Sequence, residues 1–229
     1  MAQWSAHERS DAPMSEAVRI TAVRHGETAW NVDTRIQGHT DIGLNARGLW
    51  QAQRLGAALA DTSVDHVYAS DLSRALCTAQ AVAQHAGLPV EGVRQHTGLR
   101  ERAFGHFEGQ TYANIQAQWP QDALAWRQRQ PHWAPPGGES PTQLYQRVQR
   151  TLHEIAVGHS GQHIVLVSHG GVMDMLYRLA TQQPLDAERS WALGNCAINR
   201  LLWTPQALTL VGWADTRHLD SGPLDEGSA

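Results

Sequence analysis

The sequence predicts an α/β protein. It reads as a three-layer α/β/α sandwich with a mostly parallel central sheet, helices on both faces and an insertion over the site at the strand ends. Three observations predict it. Apolar runs of strand length alternate with amphipathic runs of helix length along most of the chain, the pattern of a parallel sheet covered on both sides. Four extended runs end in clusters of Arg, His, Asp, Ser and Glu, and ligands of open α/β sheets sit at the carboxyl ends of strands. Neither an internal repeat nor a linker divides the 229 residues. They are therefore read as a flexible tail over 1–17, a single domain over 18–217 with an insertion at 103–140, and a C-terminal tail over 218–229.

Residues 18–24, VRITAVR, read as a short buried strand stopped by His25-Gly26. DIGLNARGLWQAQRLGAALAD follows as a turn and a helix, with Asn45 as N-cap and Leu49, Ala52, Leu55 and Leu59 at helical spacing. A second strand spans 65–70 and leads into a helix with an inner stripe of Leu72, Ala75, Leu76, Ala79 and Ala83, stopped at Gly87-Leu88-Pro89. VEGVRQHTGLRE reads as a third extended piece. The 103–140 segment is less regular and rich in Gln, Trp and Gly. Its Trp119, Trp126 and Trp133 recur every seven residues, as one helical face over a pocket or as a core stripe beneath the insertion. A helix over about 141–157 follows, with Ser140 or Thr142 near its cap. QHIVLVSHGG is the clearest strand in the chain and runs directly into a helix, and CAINRLLWTP and ALTLVGWAD close the sheet.

Composition narrows the chemistry. All 18 basic residues are arginine, so there is no Gly-Lys-Ser/Thr phosphate loop and no lysine nucleophile or Schiff base. A formal net charge of −4 rules out a broad positive field. No nucleic-acid partner is expected, and any anion site must be local. No run approaches the ~18 apolar residues of a membrane span, and the polar N-terminus lacks a basic-then-apolar leader pattern. A cytoplasmic protein without a membrane partner is expected. Cys77 and Cys196 lie far apart and read as small buried thiols in a reducing compartment. His159 and His163 have i,i+4 spacing but flank Gly161 in a loop, and there is no HExxH or cysteine pair. No metal is expected.

The strand ends carry complementary parts of one reaction. The first supplies Arg24-His25-Gly26-Glu27, the second Ser70-Asp71 with Arg74 a turn later, the third Arg100-Glu101-Arg102, and the clearest strand Ser168-His169-Gly170-Gly171. Guanidinium forks match phosphate oxygens in pairs. A neutral imidazole is a nucleophile towards phosphorus, and neighbouring arginines disfavour its protonation. Glu101 is the carboxyl group at these ends placed to protonate a leaving alkoxide and later activate water. Gly26 and Gly170 would let backbone approach an anion.

These residues resemble a known family. VRHGETAWN is similar to the signature of the histidine phosphatase superfamily, to which the cofactor-dependent phosphoglycerate mutases belong. The similarity continues through RIQGHTDIGLNARG, SDLSRALCTA, LRERAFGHFEG, PPGGES and VLVSHGGV, roughly residues 18 to 200. It implies that His25 is the phosphorylated nucleophile, that Arg24, Arg74 and His169 hold the phosphoryl oxygens, and that Glu101 is the proton donor. It also implies that Asn31, Gln37, Gly38 and Gly170 surround the phosphate or substrate, and that backbone near Gly26 orients His25. The implied partner is a small phosphorylated metabolite, and no metal is implied because the arginines and His169 supply the charge stabilisation. Homodimers are common in such a family, but no patch in this sequence marks an interface.

The family divides between phosphatases and mutases. The mutases follow the glutamate with Tyr-Gly and then a lysine that holds the substrate carboxylate; here Phe104-Gly105 follows and there is no lysine. Their later double arginine is replaced by Arg127 and Arg129, two apart. The segment resembles the phosphatase branch, so a phosphomonoester hydrolase is expected. The alternative is a mutase primed by bisphosphoglycerate, with Arg102, Arg127 or Arg129 in place of the lysine. A third reading, a non-catalytic module that binds a phospho-ligand, predicts loss of the nucleophile or the acid, and both are present.

Overall fold

The computed structural model describes residues 16–220. Six strands, β1 (Val18–Arg24), β2 (His66–Ala69), β3 (Arg94–Gln95), β4 (His163–Ser168), β5 (Ile198–Trp203) and β6 (Leu208–Asp215), form one sheet in the order β3-β2-β4-β1-β5-β6. The pairings β2–β3, β2–β4 and β1–β4 are parallel, whereas β1–β5 and β5–β6 are antiparallel. The sheet is thus mostly parallel, with β5 the reversed strand. A tight turn at Thr204–Ala207 makes β5 and β6 a hairpin, a connection open to antiparallel strands only.

Among the described residues, seven α-helices, α1 (Ala29–Val32), α2 (Ala46–Leu59), α3 (Ser73–His85), α4 (Tyr112–Gln118), α5 (Pro120–Arg127), α6 (Pro141–Ala156) and α7 (Gly170–Thr181), flank the sheet. Strand alternation explains why helices cover both faces. Ile164 and Leu166 of β4 pack with Leu144, Val148 and Leu152 of α6 and with Val172, Met173 and Leu176 of α7. Val165 and Val167 point the other way, into Leu55 and Leu59 of α2 and Ala75, Ala79 and Val82 of α3. Every residue of β4 is buried, as a central parallel strand requires. The caps follow local chemistry. Asn45 accepts from the Gly48 N–H, and Ser140 forms a capping box with Gln143, each worth about 1 kcal/mol.

Several expectations are corrected. Leu49 faces solvent at 48% exposure, so the buried stripe of α2 is carried by Ala52, Leu55 and Leu59. The 90–101 segment places two short 3-10 turns, Val90–Gly92 and Thr97–Leu99, on either side of the two-residue β3. The tryptophans do not share one helix. Trp119 breaks the chain between α4 and α5 because Pro120 follows it and disfavours α geometry. All three tryptophans pack around Phe107, Ile115 and Ala123, a small core within the insertion itself. The packed chain also reaches beyond 18–217. The Glu16 carbonyl accepts from Ser160 Oγ, the His218 carbonyl accepts from Arg54 Nε, and Leu219 packs against the α2–α3 core. The remainder of the expected tails, 1–15 and 221–229, lies outside the described residues. Among the described residues, no helix is long and apolar enough to cross a membrane.

Candidate active site

The parallel register of β1 and β4 builds the centre of the site. Arg24 is level with Ser168, so His25 and His169 leave the two strands side by side, with ring centroids 5.2 Å apart. Both imidazoles are buried. His25 donates Nδ1–H to the Gly26 carbonyl at 2.7 Å, a partner that can only accept. That bond fixes the tautomer and leaves the lone pair on Nε2. Burial, and after it the charges of Arg24 and Arg74, hold the His25 imidazole well below its ordinary range, so it is neutral at pH 7. His169 is held down in the same way, by burial first and then by His25, Arg74 and Arg24.

The arginines converge from different elements. Arg74, on the first turn of α3, is fully buried and donates Nη1–H to the Thr40 carbonyl at 2.9 Å and Nη2–H to the Gly38 carbonyl at 2.8 Å. Arg24 donates Nη1–H to the Leu193 carbonyl at 2.8 Å. Arg24 Nε, Arg74 Nε and both ring nitrogens of His169 are buried without a hydrogen-bond partner. Such groups cost on the order of 1–3 kcal/mol each when left unpaired. The two guanidinium Nε–H groups and the single ring N–H of a neutral His169 are donors that fit a bound oxyanion. Gln37 is also buried, with Oε1 unpartnered; turned over, its amide would present a donor instead.

Glu101 is locked by backbone. Its carboxylate accepts from the Gly171 N–H at 2.9 and 3.1 Å and from the Arg102 N–H at 2.8 Å. A Cβ on Gly171 would lie 2.4 Å from Oε1, so this position has no room for a side chain. At Gly170 a Cβ would make ordinary contacts of 3.6–3.7 Å with Arg24 and Glu101. The tight contact with the Glu101 carboxylate therefore belongs to Gly171. Gly26 is likewise explained by packing. A Cβ there would sit 2.4 Å from the carbonyl oxygen of Gly48, which brings α2 directly against the turn that follows His25. Asn31 spends its Oδ1 on the Thr28 N–H and Oγ1, closing a capping box on α1, which leaves only the amide nitrogen for another partner. Arg100 is committed to a paired fork with Asp71, at 2.8 and 2.5 Å.

Several supporting residues were not anticipated. Glu108 accepts from the His39 and Thr40 N–H groups, from Thr40 Oγ1 and from the Phe104 N–H, at 2.7–3.2 Å. It ties the insertion to the loop whose carbonyls hold Arg74. Gly38 sits at φ +53, and a Cβ there would strike the Glu108 carboxylate. His39 donates Nε2–H to the Glu101 carbonyl at 2.8 Å, and Asn195 donates to the His25 carbonyl at 2.8 Å. His159 and His163, by contrast, serve the fold. They bond Tyr68, Gln162, Thr21 and Ser63, remote from the two strand-end histidines. Among the described residues, no group of three or more His, Cys, Asp or Glu side chains is placed to hold a metal ion.

A cavity of about 660 Å³ opens beside Arg24 and Gly170-Gly171, between the insertion and α7. Trp126, Trp133, Phe104 and Tyr112 line its insertion side, and Met175, Leu185 and Leu193 the opposite side.

Comparison with known proteins decides the family. The sequence profile described as histidine phosphatase superfamily (branch 1) matches residues 20–216. The chain belongs to the histidine phosphatase superfamily. A relative from Arabidopsis thaliana, phosphoglycerate mutase-like protein 4, is 37% identical over 96% of this chain and 95% of its own. Bacillus stearothermophilus YhfR superposes with a TM-score of 0.82 at 30% identity, covering 89% of this chain and 100% of that one. A mycobacterial glucosyl-3-phosphoglycerate phosphatase solved with VO3 superposes with a TM-score of 0.76 at 31% identity, covering 86% and 99%. As a histidine phosphatase superfamily member the chain is read as an enzyme, since members are phosphatases or mutases.

Proposed function

We propose that the chain is a cytoplasmic, metal-independent phosphomonoesterase that hydrolyses a small phosphorylated metabolite through a phosphohistidine on His25. One observation carries the reading: the buried His25 imidazole, neutral and held through Nδ1 on the Gly26 carbonyl, keeps its lone pair on Nε2. Nε2 attacks phosphorus and the bond from phosphorus to the substrate oxygen breaks. The Glu101 carboxyl gives its proton to the leaving oxygen. Water then attacks the phosphohistidine, Glu101 takes a proton from that water, and inorganic phosphate leaves with His25 neutral again. Arg24, Arg74 and His169 hold the phosphoryl oxygens as charge spreads over them. Gln37 and the amide of Asn31 serve the same oxygens, and the Gly38 carbonyl aims Arg74.

The phosphatase reading is further supported by Phe104-Gly105 after the glutamate motif, by the absence of lysine, and by similarity to a glucosyl-3-phosphoglycerate phosphatase. A mutase reading is favoured by similarity to a phosphoglycerate mutase-like protein and by the arginines beside the cavity. A phosphate-release screen in EDTA, run beside a coupled mutase assay with and without bisphosphoglycerate, separates the two. Phosphate release that EDTA does not affect is expected. Isomerisation that depends on bisphosphoglycerate, with little release, would make the chain a mutase.

A further inference from the structure

A proton donor must keep one distance and one angle to the leaving oxygen, yet Glu101 sits in a stretch without helix or strand. The 3-10 turn Thr97–Leu99 precedes it and the insertion follows. Its carboxylate rests on the amides of Gly171 and Arg102, contacts that fix the tip of the side chain. The main chain behind it is held from α6. Arg147 donates Nη1–H to the carbonyls of Gly98 and Arg100, both at 2.8 Å, and Nη2–H to the carbonyl of Glu101 itself at 3.1 Å. The Glu139 carboxylate takes the rest of the fork, from Nε at 2.9 Å and from Nη2 at 2.7 Å. A guanidinium has five N–H donors, and here each one has an acceptor. The loop and the helix lie close: a Cβ on Gly98 would fall 2.0 Å from Thr151 Oγ1, one turn along α6 from Arg147.

Glu139 works through its backbone as well. Its carbonyl accepts from Arg102 Nε at 2.6 Å, and its N–H donates to the Ala103 carbonyl at 2.8 Å. Both flanks of Glu101 are thereby tied to one ion pair, whose side chains are only 18% and 16% exposed. The pair is neutral as a whole, so it adds no net charge beside a group that must pass a proton. Lysine could keep that pairing, but a compact ammonium cannot reproduce a planar fork that spans three carbonyls. The groups that hold the phosphoryl oxygens are aimed separately: Arg24 by the Leu193 carbonyl, and Arg74 by those of Thr40 and Gly38.

Resting on the phosphatase reading above, we infer that Arg147 is a positioning residue for proton transfer. Its fork on the carbonyls of residues 98, 100 and 101, anchored by Glu139, sets where the Glu101 carboxyl meets the leaving oxygen.

The test compares the full chain with Arg147→Lys and Arg147→Gln on nitrophenyl phosphate, phenyl phosphate and glycerol 3-phosphate, well below each thermal midpoint. In both variants kcat/KM for glycerol 3-phosphate is expected to fall roughly ten- to hundredfold, a share of what a general acid supplies. Phenyl phosphate is expected to lose less and nitrophenyl phosphate least, with inhibition by inorganic phosphate close to that of the parent chain. In a Glu101→Gln background, adding Arg147→Gln is expected to cost glycerol 3-phosphate nothing further, because the two residues act through one group. Glu139→Gln, which leaves the fork one acceptor, is expected to shift the substrate ratio the same way by less, and it carries the test should the Arg147 variants not fold. Equal losses on all three substrates, additive losses with Glu101→Gln, or full recovery of glycerol 3-phosphate turnover in Arg147→Lys would overturn the inference alone. A parent chain that turns over none of the three would overturn the phosphatase reading and this inference with it.

Discussion

His25 shows how a single contact selects a chemistry. A carbonyl accepts and never donates, so the Nδ1–H bond to Gly26 leaves the lone pair on Nε2, the atom proposed to attack phosphorus. Glu101 is held as firmly from the other side, on the Gly171 and Arg102 amides. Glu101→Gln keeps the shape but removes the transferable proton. It is expected to cut turnover of alkyl phosphates by about 10²–10⁴-fold and to spare nitrophenyl phosphate, whose leaving group needs little help. Equal losses on both substrates would contradict the acid role. The histidines also set a pH dependence of stability. His25 and His169 are held below their unfolded value of ~6.5, so they stay neutral in the folded chain while the unfolded chain takes up protons. Stability is therefore full above about pH 6.5 and declines as the pH falls towards the folded values. The thermal midpoint is expected to drop between pH 7 and pH 5.5, and His169→Asn is expected to flatten that slope. An unchanged slope would contradict the assignment.

At the scale of elements, the site is a meeting of strand ends, a helix start and one clamped loop. The strand ends were legible because apolar runs stop abruptly at Arg24-His25 and at Ser168-His169, and the parallel register then does the rest. The helices were legible for the same reason, with Asn45 and Ser140 marking their starts. Glu108 was not. In GHFEG it reads as a surface charge, and only the fold reveals the backbone donors of residues 39, 40 and 104 around it. Gly26 and Gly171 were visible as glycines, but the steric reason lies in Gly48 and Glu101, partners that no local pattern names. The 90–101 segment misled because its extended look hides turns that close locally, such as the Gly98 N–H on His96 Nδ1. Glu108→Ala tests the clamp. It is expected to cost about 1–3 kcal/mol of stability and to weaken inhibition by inorganic phosphate several-fold, because Arg74 loses the loop that aims it. Unaltered phosphate inhibition in a folded variant would contradict that role.

For the whole molecule, the mostly parallel sheet with helices on both faces follows from alternation, because β4 feeds one core with Ile164 and Leu166 and the other with Val165 and Val167. The insertion keeps its own small core around Phe107, and Phe104, Trp126 and Trp133 both pack on that core and line the cavity. Which arginines would be paired with which acids could not be read from the sequence, since Asp71, Glu139 and Asp174 find their partners only in the fold. One covalent bond, between phosphorus and His25, carries the proposed reaction. Rapid quenching of the EDTA-treated protein with nitrophenyl phosphate, followed by mass analysis of its peptides under alkaline conditions, tests that bond directly. The expected result is a burst of nitrophenolate matched by phosphate on the peptide carrying His25, with burst and phosphopeptide both absent in His25→Ala. Continued turnover in His25→Ala, or phosphate trapped on another residue, would contradict it.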